Sequence, residues 1–68
     1  MIYRFEISRA DLTSPLEVVE GDFSNDFTAG QWMNTRRLAR GEGILGFCGN
    51  DERPFARRAS GGVVEAVR

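Results

Sequence analysis

"TAGQWMNTRRLARG", residues 28–41, decides between two folds. Thr28 and Gln31 stand at capping-box spacing, "RRLAR" is rich in good helix formers, and Gly41 sits where a helix C-terminal cap belongs. These signals predict a helix over residues 29–40, which makes the chain α+β. With the same stretch extended, the alternative is a small all-β barrel. The helical stripe is imperfect. Ala29, Trp32, Met33 and Ala39 cluster on one side with Arg36 and Arg40 between them, so those arginines must snorkel or find acids.

The flanks read as strands. In "MIYRFEIS", residues 1–8, Met1, Tyr3, Phe5 and Ile7 alternate with Arg4, Glu6 and Ser8, and only Ile2 interrupts the polar side. "SPLEVVEG", residues 14–21, carries a capping box with proline at the first helical position. Val18 and Val19 nevertheless favour a strand, with Gly21 as bulge or stop. "DFSNDFT", residues 22–28, reads as a turn or loop whose Ser24, Asn25 and Asp26 bond locally to backbone. "GILGFC" is a short glycine-spaced strand and "NDERP" a turn. "FARRAS" and "VVEAVR" are strands joined at Gly61-Gly62, a hairpin signal in which both turn positions take positive φ. The expected architecture is one domain over residues 1–68. It is a small antiparallel sheet of three to five short strands with a single helix packed on one face.

Sixty-eight residues bury a core that only just offsets the conformational entropy of folding. Cys48 is the one cysteine and there is no histidine, so an intramolecular disulfide cannot form and a four-ligand zinc site has at most one candidate. Beside Phe47 and Gly49, Cys48 reads as a small buried hydrophobe. Ser-His-Asp and Cys-His nucleophile pairs are excluded within one chain. The nearest acid pairs, Asp22 with Asp26 and Asp51 with Glu52, read as solvated surface acids. No cofactor, metal or enzymatic activity is expected. "DFSND" lacks the complete ligand series of a calcium loop.

Gly41, Gly43 and Gly46 match the G-x-G-x-x-G spacing of a dinucleotide-binding loop. That loop works only when a strand precedes it and a helix follows, so that phosphate meets free helix N–H groups. Here the order is reversed and 22 residues remain after Gly46, so the glycines read as a helix cap plus close backbone packing. "RRAS", residues 57–60, matches a basophilic-kinase pattern over four residues, too short to outweigh coincidence. No apolar run is long enough to span a bilayer and the first residues lack a signal-peptide pattern, so the expected location is the cytoplasm, with no membrane partner.

Charge is segregated beneath a net of -1. Asp11, Glu17, Glu20, Asp22 and Asp26 occupy a segment without bases; Arg36, Arg37 and Arg40, then Arg53, Arg57 and Arg58, follow. Two oppositely charged surfaces steer association with a partner. The expected role is a non-enzymatic inhibitor or adaptor of a protein partner, such as a complex that handles nucleic acid. Asp11, Glu17, Glu20, Asp22 and Asp26 form its acidic contact; Trp32, Arg36, Arg37, Arg40, Arg57 and Arg58 form its basic and aromatic one. All nine basic residues are arginine, which suggests GC-rich coding and hence a bacterial or phage source, with anti-defence (anti-CRISPR-like) proteins as the class of comparable profile. Nucleic-acid binding through the arginine cluster is the alternative, opposed by a pI near 5.3, and homodimerisation stays open.

Overall fold

The computed structural model describes residues 1–11 and 13–67. Five strands and one helix follow in the order β1 (Ile2–Arg9), β2 (Glu17–Asp22), α1 (Asp26–Thr35), β3 (Glu42–Cys48), β4 (Ala56–Ala59) and β5 (Glu65–Ala66). The strands form one open antiparallel sheet in the order β2-β1-β3-β4-β5, not a closed barrel. Because β2 and β3 each run antiparallel to β1, they are parallel to one another, and α1 is the connection that passes across β1 between them. No helix among the described residues is long and apolar enough to cross a membrane.

The alternation in β1 sets the core. Tyr3, Phe5 and Ile7 lie on the helix side, opposite Cys48, Gly46 and Ile44 of β3, and are almost wholly buried. Ala29 and Met33 of α1 pack on them, together with Phe55 and Ala56. Aromatic edges organise this layer: the Tyr3 and Phe55 ring centroids are 5.4 Å apart and those of Phe5 and Phe23 5.7 Å, both T-shaped. Gly46 is required here. A β-carbon at this position would fall 2.8 Å from Met33 Sδ and 2.8 Å from Phe55 Cε1, so the absence of a side chain lets helix and loop settle on the centre of the sheet.

The helix starts earlier and ends sooner than the predicted 29–40. Asn25, not Thr28, is the N-cap: its side chain accepts the Thr28 N–H at 2.9 Å, and the Thr28 hydroxyl accepts the Asn25 N–H at 3.3 Å. The capping box is therefore Asn25 with Thr28 rather than Thr28 with Gln31, and the second half of "DFSNDFT" is the first helical turn instead of loop. At the other end, Arg36 turns extended at φ -71° and ψ 126°. The cause is tertiary. Arg58 of β4 reaches under the helix and its Nη1 donates to the carbonyls of Met33, at 2.8 Å, and Arg36. The terminal carbonyls that another helical turn would have used are satisfied from a different element. Good helix formers at residues 36–40 do not prevail against that.

Two glycine assignments change with this. Gly41, at φ +84°, belongs to the tight turn entering β3, where the Glu42 N–H donates to the Ala39 carbonyl at 3.0 Å and the Glu42 carboxylate accepts the Ala39 N–H at 2.8 Å. The β4–β5 connection is not a two-residue hairpin: strand pairing stops at Arg57 with Glu65, residues 60–64 form a longer loop, and of the two glycines only Gly61 has positive φ. That loop is held to the helix, because the Asn34 side chain accepts the Val64 N–H at 2.8 Å. "VVEAVR" thus contributes a strand of two residues, Glu65–Ala66.

Two stability measurements check this architecture. Asn25→Ala should cost about 1 kcal/mol in chemical denaturation, whereas Gln31→Ala, exposed and outside the cap, should leave stability within about 0.5 kcal/mol. Gly46→Ala should cost about 1–3 kcal/mol through overpacking against Met33 and Phe55, a loss that the smaller side chain of Met33→Ala should partly offset in the double variant.

Candidate partner-binding surface

One sheet face lies under the helix; among the described residues the other has no element packed on it. Register places Glu20, Arg4 and Phe47 in one row across this open face, and Val18, Glu6, Leu45, Arg57 and Glu65 in the next. The rows are locally neutralised. Arg4 Nε donates to Glu6 at 3.2 Å, and its guanidinium carbon sits 4.4 Å from the centre of the Phe47 ring. Phe47 is thereby only 5% exposed although no helix covers it. Toward β4, an open depression of about 540 Å³ has Ser8, Gly43 and Ala59 in its floor and Leu45, Arg57 and Glu65 around it.

Toward β2 the open face changes character. Ile2 is 51% exposed and Val18 53%, with Leu16 also exposed just before the strand. Beside them Glu20 and Asp22 project from the same side of β2. The exposed aliphatic side chains are thus rimmed by acids. Sequence reasoning missed its apolar half. Its only signal was the intrusion of Ile2 on the polar side of β1.

The five acids expected to act together are spread over different surroundings. Asp11 lies before β2 and pairs with Arg9 at 3.3 Å. Glu17 faces the helix side and pairs with Arg36, while Asp22 receives the Met1 amino group at 2.6 Å. These pairs are exposed, so each contributes little to stability. Asp26 opens the helix and accepts the Tyr3 hydroxyl at 2.7 Å. Glu20 makes no ion pair among the described residues.

The basic and aromatic candidates separate in the same way. Arg58 faces inward and bonds the helix terminus and the Gly62 carbonyl. Arg57 projects on the open face, 3.5 Å from Glu65. Arg37 and Arg40 are exposed in the segment after the helix. Trp32 is half-buried, its ring centroid 4.5 Å from that of Phe5, so its main engagement is with the core.

Tyr3 joins the two halves of the molecule. Its ring is in the core and its hydroxyl reaches the start of α1, and burial together with the bond to Asp26 pushes its pKa well above the ordinary value near 10. Cys48 is half-buried, with its thiol donating to Met1 Sδ at 3.1 Å. No cluster of three or more His, Cys, Asp or Glu side chains capable of holding a metal occurs among the described residues. Gly41, Gly43 and Gly46 lead into and through β3, so among the described residues no helix N-terminus follows them to receive a phosphate. Comparisons with protein-family models, with curated proteins and with solved structures give no match.

Tyr3 is the sole tyrosine, which makes its ionisation directly observable. Since the folded pKa is raised, the stabilisation is complete below pH 10 and is lost as pH climbs from there toward the folded value. The tyrosinate ultraviolet absorbance should therefore stay absent past pH 10 in the folded protein and appear with unfolding. Tyr3→Phe should show a flatter fall of the denaturation midpoint over the same alkaline range.

Proposed function

We propose that the chain is a non-enzymatic binding protein that acts stoichiometrically, as an inhibitor or adaptor, on a protein partner with a basic surface. The observation that carries this reading is the meeting of exposed Ile2 and Val18 with Glu20 and Asp22 on the uncovered side of the sheet. Apolar area supplies the drive for association, and the acids select a basic counterpart and raise its rate of encounter. Asp11 and Glu17 are paired with Arg9 and Arg36, and Asp26 is committed to Tyr3, so Glu20 and Asp22 carry the charge of this surface. Of the bases, Arg58 has a structural task within the fold. Arg36 pairs with Glu17, Trp32 packs in the core, Arg57 pairs with Glu65, and Arg37 and Arg40 are exposed in the segment after the helix.

An arginine-rich peptide serves as the probe. Binding by the wild-type chain should saturate at one to one, weaken as salt rises, and fall at least about tenfold in the double variant Glu20→Arg/Asp22→Arg. The reading is overturned if the double variant binds the peptide unchanged. It is replaced by the nucleic-acid alternative if the chain instead retains duplex DNA and loses it on changing Arg37 and Arg40 to alanine.

A further inference from the structure

We infer that β2 is a docking edge for an extended basic segment of the partner, which adds to the sheet as a sixth strand. The inference rests on the protein-binding reading above and specifies how the contact is made.

β2 ends the sheet on one side and β5 on the other. The two edges differ. β5 is two residues long, a length that blunts an edge, while β2 offers six residues without proline. The bonding pattern fixes which of its backbone groups are outward. The Phe23 N–H donates to the Met1 carbonyl at 3.0 Å and the Gly49 N–H to the Ile2 carbonyl at 2.9 Å, so odd-numbered residues of β1 bond toward β2 and even-numbered ones toward β3. Their partners Glu17, Val19 and Gly21 therefore spend their N–H and C=O groups on β1. Those of Val18, Glu20 and Asp22 point away from the sheet, and no further strand pairs with them among the described residues.

Charge selects what fills this edge. A second copy pairing β2 against β2 through these outward groups would set Glu20 of one chain opposite Glu20 of the other with Asp22 on the same face, and like charges across a ladder are destabilising. A strand with arginine or lysine at alternate positions meets Glu20 and Asp22 with the opposite sign. An aliphatic residue in the same row packs on Val18. The acids therefore guard the edge against self-association and leave it open to a basic strand.

The test uses the full chain and a fluorescent peptide of alternating arginine and valine, alongside the same peptide N-methylated at every second backbone amide. N-methylation preserves charge but removes ladder donors. Strand addition predicts that one N-methylation frame binds about tenfold or more weaker than the parent. Val18→Pro, which removes an outward N–H and no internal bond, should weaken the parent peptide similarly. Parent and both N-methylated frames binding equally to the wild-type chain would overturn the strand mode while leaving a basic-partner contact intact. No binding of the parent peptide at any salt concentration would overturn both. Dimerisation of the chain, lost in Val18→Pro, would overturn the charge argument.

Discussion

The close approach of Met33 and Phe55 over the bare backbone of Gly46 is the constraint from which the rest of the molecule follows. It lets a ten-residue helix and a loop share one small apolar layer with Tyr3, Phe5, Ile7 and Ile44. In a chain this short the layer has no spare volume, so a methyl group at the centre displaces its neighbours. The helix side of the sheet carries this packing, and among the described residues the opposite side is left open.

Polar bonds locate what the apolar layer leaves undetermined. Tyr3 carries the core outward to the first turn of α1 through Asp26, and Arg58 carries β4 to its last turn through the Met33 and Arg36 carbonyls. Both helix termini are thus fixed by side chains of the sheet, with Asn25 as a local contributor at the start. Arg58 and Asp26 looked in the sequence like members of charged surfaces. Arg58 differs from its neighbour Arg57 by facing the helix, a distinction made by strand parity and register, and Asp26 differs from Asp22 by standing in the first turn of α1 beside the Tyr3 hydroxyl.

On the far side, Arg4 folded over Phe47 closes the central part of the sheet without a second layer, whereas Ile2 and Val18 near the β2 edge stay open. Aliphatic exposure, acidic side chains and outward-pointing backbone groups coincide along the six residues of β2, whereas the opposite edge, β5, is only two residues long. This coincidence supports the proposed binding role more directly than net charge does.

The sequence by itself determined the parts governed by local rules. The period-two pattern of Tyr3, Phe5 and Ile7 marked β1 and its buried side, the helical signals after Thr28 marked one helix but neither its cap nor its ends, and an α+β sheet with one helix followed. The open sheet, its strand order and the close packing at Gly46 are consistent with that reading. Only the tertiary structure decided where α1 stops, that Gly41 turns into β3, that the β4–β5 loop is long, and which charges are spent internally. The two ends of the helix depend on partners distant in the chain: Arg58 lies 22 residues from Arg36, and Tyr3 23 from Asp26. Local propensity differs by tenths of a kcal/mol per residue, while a charge-assisted bond to an otherwise unsatisfied carbonyl contributes about 1.5–3 kcal/mol, so the long-range partner prevails and no sequence window contains it.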